Sequence, residues 1–175
     1  MNTNLNPTER HILLIEEHPS RVILLDSERY TIGRSNANAI VLDRYPISRE
    51  HAILLKVQVP HENRFTYRII DGHSAGKPST NGVFVNQRQQ SCYNLSNEDV
   101  ITFGGLVKAF YIQAFMDEIQ LSEYLNWFAY NCATIEFSEN LAAIRQVESD
   151  LSSDDSTSIM LGGRPVDLKE TLLIG

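Results

Sequence analysis

Four short segments carry the residues best able to do chemistry: Gly33-Arg34-Ser35, Ser48-Arg49-Glu50-His51, Ser79-Thr80-Asn81-Gly82 and Val85-Asn86. Together they supply two guanidinium groups, several hydroxyls and two side-chain amides, a set weighted towards hydrogen-bond donors. A phosphate group, with close to two negative charges and three acceptor oxygens, is the ligand such a set satisfies. Arg34 is the anchor, because the β-branched Thr31 and Ile32 before it stiffen an extended backbone and fix its starting point. The five histidines, His11, His18, His51, His61 and His73, have no ligand spacing. No Gly-rich nucleotide loop, nucleophile elbow or paired-carboxylate motif accompanies them, so no enzyme, no cofactor and no metal is expected. Cys92 and Cys132 lack Cys-x-x-Cys spacing and imply neither zinc nor a disulfide framework.

The elements that must position these groups read as short β-rich runs separated by turn-forming clusters, the pattern of an all-β sandwich. Strands are expected near His11 to Glu17, Arg21 to Leu25, Arg29 to Gly33, Ile40 to Leu42, Ala52 to Val59 and Phe65 to Ile70. Four more follow near Val83 to Val85, Tyr93 to Leu95, Asp99 to Phe103 and Val107 to Phe115. In a sandwich the loops gather at the ends, where a site can be assembled from segments far apart in sequence.

The order and spacing of the segments closely resemble the forkhead-associated (FHA) domain. The matching pieces are Tyr30-Thr31-Ile32-Gly33-Arg34-Ser35, Ile47-Ser48-Arg49-Glu50-His51-Ala52, Ser79-Thr80-Asn81-Gly82-Val83-Phe84-Val85-Asn86 and the late hairpin Leu95 to Gly104. The resemblance implies a sandwich of ten to eleven strands that binds phosphothreonine peptides. It assigns Arg34 and Ser48 to the phosphate, with Arg49 helping. Thr80 is assigned to the phosphate or the peptide, and Asn81 to the peptide backbone. Gly33, His51, Gly82 and Asn86 become structural supports, His51 as a buried residue that ties the binding loops together. A snug pocket for the threonine methyl, worth about 1–3 kcal/mol, would favour phosphothreonine over phosphoserine. One departure is the loop from Gly72 to Pro78, longer than the family's; it borders the surface that would read flanking residues, and Lys77 there either adds a cation near the ligand or is a solvated loop residue, the second reading being favoured.

Beyond Phe115 the spacing turns helical: Leu121, Tyr124, Leu125 and Phe128 lie at i, i+3, i+4 and i+7, predicting a helix over 117–131. Its off-stripe residues Ile119 and Trp127 leave two readings, packing back on the sandwich, which is favoured, or a surface for a partner or self-association. A second helix is expected from Ser138 to about Glu148. The expected organisation is a flexible start (1–10), the sandwich (11–115), a helical extension (116–148), then an acidic linker with a short C-terminal segment (149–175).

The net charge of −7 is uneven: residues 1–115 hold 12 Lys or Arg against 11 Asp or Glu, and residues 116–175 hold 3 against 11. The acidity therefore belongs to the C-terminal part, and no basic stripe suggests nucleic acid. No apolar run reaches the roughly 20 residues of a membrane helix, and Met1 to Glu9 lacks a signal-peptide pattern, so a cytoplasmic location is expected. The leading expectation is a phosphothreonine-dependent adaptor in Ser/Thr kinase signalling. Its partner is a phosphorylated protein, or its own tail modified at Thr157 within Asp154-Asp155-Ser156-Thr157-Ser158. The alternative is a phosphate-independent scaffold built on the sandwich and the C-terminal helices.

Overall fold

The computed structural model describes residues 6–73, 75–131, 158–161 and 164–167. The chain divides into two compact units between Leu121 and Ser122. The first unit is a sandwich of eleven strands. They are β1 (Thr8–Ile15), β2 (Arg21–Leu24), β3 (Arg29–Gly33), β4 (Ile40–Val41), β5 (Ala52–Gln58), β6 (Phe65–Asp71), β7 (Val83–Val85), β8 (Arg88–Gln90), β9 (Cys92–Asn94), β10 (Val100–Phe103) and β11 (Val107–Met116). One sheet has six strands in the order β2-β1-β11-β10-β7-β8; the other has five in the order β4-β3-β5-β6-β9. The short β3–β4 pairing is parallel, and the other sandwich pairings are antiparallel.

Leu13, Ile15, Ile101, Phe103 and Tyr111 from the first sheet meet Ile32, Leu54, Tyr67 and Ile69 from the second in one core. Each such side chain fully withdrawn from water contributes about 1.5–3 kcal/mol. β1 is unusual in having Ile12 to Ile15 all buried. Side chains alternate across a strand, so Ile12 and Leu14 point away from the core that Leu13 and Ile15 enter. Their register partners Ile112 and Phe110 are buried on that same outer side. The unbroken His11-Ile12-Leu13-Leu14-Ile15 run is therefore the sequence of a strand covered on both faces.

Two strands depart from expectation. β1 starts at Thr8, so Thr8, Glu9 and Arg10, expected within a flexible start, pair with Met116, Phe115 and Ala114. Charges tie this end down: Glu9 meets Arg64 at 2.8 Å and Arg10 meets Glu118 at 2.8 Å. β8 has no apolar alternation and exists because a two-residue loop, Asn86-Gln87, turns it back along β7. Both loop residues have positive φ, 49° and 68°, which makes this a type I′ hairpin turn. Asn tolerates that backbone, whereas Gln87 is strained by about 1 kcal/mol. Gln87→Gly is expected to raise unfolding free energy by about 0.5–1 kcal/mol in urea titration; a destabilised variant would contradict the strain.

Helix α1 (Glu118–Asn131) begins where the helical spacing predicts. Asp117 caps it, its Oδ1 accepting from the amides of Ile119 and Gln120 at 2.8 Å each, while Gln120 Oε1 accepts from the Asp117 amide at 3.0 Å. This reciprocal pair is a capping box. Leu121, Tyr124 and Phe128 of the predicted stripe are buried, and Ile119 is exposed. In the second unit β12 (Ser158–Leu161) pairs antiparallel with β13 (Arg164–Asp167). The expected helix over 138–148, Cys132 and most of the acidic stretch with Thr157 lie outside the described residues. Among the described residues no helix is long and apolar enough to cross a membrane.

Candidate functional site

The end of β3 and the loops β4–β5 and β6–β7 converge at one end of the sandwich. Backbone bonds hold them: the Arg34 amide donates to Ser48 O at 2.9 Å, Ser35 to Arg49 O at 3.1 Å, and His51 to Ile32 O at 2.8 Å. Gly33 makes this approach possible. A Cβ at Gly33 would collide with the Arg49 carbonyl oxygen and stand 2.9 Å from its carbon. Asn38 adds a clamp that no motif signalled, its Nδ2 donating to Ser35 O at 2.8 Å and to Arg49 O at 2.7 Å.

His51 is the buried joint of the arrangement. Its Nδ1 accepts from the Ser48 amide at 3.1 Å, so Nε2 must carry the ring proton and donate to Gly82 O at 3.1 Å. One neutral imidazole thus links the loop carrying Ser48 to the loop carrying Thr80. Gly82 in turn has φ +75° and donates its amide to Ser79 Oγ at 2.9 Å. Asn86 lies away from these loops and braces the β7–β8 turn against β10, with Nδ2 donating to Asp99 Oδ1 at 2.6 Å and Oδ1 accepting from the Val100 amide at 3.0 Å.

Arg34, Ser48, Arg49, Thr80 and Asn81 all line one open groove of about 410 Å³, whereas Gly33, His51, Gly82 and Asn86 are not part of its lining. The Thr80 amide donates to Ser48 Oγ at 3.0 Å, and the two hydroxyls are 3.3 Å apart. Ser48 Oγ therefore accepts from the backbone and has its own proton to give. Arg34 Nε donates to Ile47 O at 3.2 Å, which orients the guanidinium and leaves its terminal N–H groups for a ligand. Asn81 Nδ2 donates to Pro46 O at 2.9 Å. Spacing alone did not reveal the turn 44–47 that receives both contacts.

The long loop is pinned at its root. Gly72 has φ +86°, a Cβ there would collide with the Lys77 carbonyl oxygen, and its amide donates to His51 O at 2.7 Å. The loop brings Lys77 and Pro78 to the groove rim, together with His73, whose Nδ1 lies 3.8 Å from Glu50 Oε2. Lys77, expected as a solvated loop residue, is exposed and also lines the groove. Arg34, Arg49 and Lys77 make no ion pair among the described residues, whereas Arg10, Arg21, Lys56 and Arg64 each face a carboxylate. The groove lining thus sets three cations against the single carboxylate of Glu50.

Burial holds His51 below the usual imidazole range, opposed by its bond to Gly82 and by Asp71; burial likewise lowers His11, opposed by Glu9 and assisted by Lys56 and Arg64. Between the lowered folded value and about 6.5 the unfolded chain binds more protons, so stability rises with pH. The contribution is complete above pH about 6.5 and is lost as pH falls towards the folded values. Thermal unfolding scans are expected to show a midpoint that drops as pH goes from about 7 to about 5, with a shallower drop in His51→Gln. A pH-independent midpoint would contradict neutral burial. Tyr111, whose hydroxyl lies 2.7 Å from His11 Nδ1, is pushed up to about 12 by burial.

Residues 30–104, which contain every groove-lining segment, match the FHA domain family model. The chain carries an FHA domain. The crystal structure of protein Slr1951 from Synechocystis sp. is 34% identical with a TM-score of 0.54, covering 58% of this chain and 96% of that one. Protein sll1895 of the same organism is 39% identical over 100 residues, which are 56% of this chain and 14% of that protein. The chain thus spans about a seventh of the length of the curated relative it matches. The FHA domain of CT664 from Chlamydia trachomatis is 25% identical with a TM-score of 0.47, covering 59% of this chain and 96% of that one.

Proposed function

We propose that the groove binds phosphothreonine peptides and that the chain works as a non-catalytic adaptor in Ser/Thr kinase signalling. The observation that carries this reading is the convergence of Arg34, Ser48 and Thr80 on one groove whose three cations make no ion pair among the described residues. A phosphate in it would take two N–H bonds from Arg34 and the Ser48 hydroxyl proton, with Thr80 on the far side. Asn81, tied to Pro46 through one N–H, keeps its carbonyl oxygen for a peptide amide.

Fluorescence anisotropy of the full chain against phosphothreonine, phosphoserine and unmodified versions of one peptide set tests the reading. Micromolar binding is expected for the phosphothreonine set alone. Equal binding of unmodified peptides would transfer the function to a phosphate-independent scaffold. The chain's own Thr157 is a further proposed ligand, supported by its acidic, hydroxyl-rich sequence surroundings and by the mM effective concentration that tethering gives where the linker suits the span. Mass spectrometry of protein from its native cells that never finds phosphate on Thr157 would remove it.

A further inference from the structure

Among the exposed large apolar side chains Tyr45 stands out at 88% relative exposure, and it sits on the lining of the groove. A rigid aromatic ring offers a large contact area at small entropic cost, which is why such residues concentrate at recognition centres. The turn beneath it is well held. The Arg44 amide donates to Leu42 O at 2.8 Å, the Ile47 amide donates to Arg44 O at 2.9 Å, and the Ile47 side chain is 2% exposed. Two groove residues also grip its backbone, Arg34 at Ile47 O and Asn81 at Pro46 O. The base of the ring is therefore fixed by the same side chains that would meet the phosphate and the peptide backbone. Pro46 and Pro78 line the same groove and extend the apolar surface.

The charged part of the lining discriminates less. With Arg34 given to the phosphate, Arg49 and Lys77 oppose Glu50, all three are exposed, and Glu50 lies 3.8 Å from His73. Exposed charges of mixed sign in water give small, salt-screened preferences. An apolar contact at Tyr45 gives a larger one. We propose that Tyr45 is the specificity-determining residue of the groove, packing on an apolar side chain of the bound peptide close to the phosphothreonine. This rests on the phosphothreonine reading above.

The test uses the full chain and alanine-based phosphothreonine peptides in which each flanking position in turn is Leu, Gly, Glu or Lys, read by anisotropy. At one position Leu is expected to bind about tenfold more tightly than Gly, the scale of a few methylenes in an apolar contact. Tyr45→Ser should bring that ratio to near unity, and Tyr45→Phe should retain it, since the ring and not the hydroxyl makes the contact. If Tyr45→Ser keeps the ratio, or no position favours Leu, the Tyr45 assignment is overturned while phosphothreonine binding stands. If the unaltered chain binds no phosphorylated peptide, both fall. Circular dichroism of each variant guards against misfolding, which an 88% exposed side chain gives no reason to expect.

Discussion

Arg34→Ala is expected to raise the dissociation constant for a phosphothreonine peptide by about a hundredfold or more. Two guanidinium N–H bonds to phosphate are charge-assisted, and each contributes about 1.5–3 kcal/mol against a scale on which about 1.4 kcal/mol is tenfold. Arg34→Lys should recover part of the loss, because an ammonium keeps the charge but lacks the planar fork. The fold gives this substitution little else to change. Arg34 is exposed, and among the described residues its side chain makes one hydrogen bond, the 3.2 Å bond from Nε to Ile47 O. Its backbone amide, which joins β3 to the Ser48 segment, survives in the alanine variant. Unfolding free energy should therefore move by less than about 1 kcal/mol. Peptide titration and urea unfolding on the same preparations separate the two effects. Undiminished binding by Arg34→Ala would exclude this arginine as the phosphate anchor.

His51→Ala is expected to act in the opposite order, on stability first. It leaves the Ser48 amide and the Gly82 carbonyl without their partner and opens a void beside Phe103, whose ring stands 6.1 Å from the imidazole. An unsatisfied buried polar group costs about 1–3 kcal/mol, and a cavity left by a lost ring adds to it, so a loss of about 3 kcal/mol or more should appear in urea unfolding. Peptide affinity should fall as well, because Ser48 and Thr80 would no longer be held at a common separation. His51→Gln can restore one of the two hydrogen bonds and should lie between the alanine variant and the parent. A cost under about 1 kcal/mol for His51→Ala would mean that the two loops are held together without the imidazole.

These two substitutions mark the boundary between what residue patterns reveal and what they hide. The groove-lining residues were legible because Arg34, Ser48, Thr80 and Asn81 belong to short motifs in a set order, and side-chain chemistry can be read without coordinates. Their supports were legible only through family resemblance. Nothing local in Ser48-Arg49-Glu50-His51 says that the ring nitrogens divide between Ser48 N and Gly82 O, residues 34 positions apart.

Most strand positions follow from local preference, since β-branched and aromatic residues alternating with polar ones favour a half-buried extended chain whatever surrounds it. The helix start at Asp117 follows in the same way, from a cap and a period that neighbouring residues set among themselves. β8, the first residues of β1, the Asn38 clamp and the turn presenting Tyr45 are different. Each is held by hydrogen bonds or ion pairs to segments distant along the chain, as with Arg88 to Gln90 on β7, Glu9 on Arg64, and Asn81 on Pro46. Such contacts leave no periodic trace, because polar side chains and backbone groups acquire partners only when the sheets have closed. The composition and order of the segments thus specified a sandwich and the donors at its end, and closure of the two sheets decided which of those donors face a common groove.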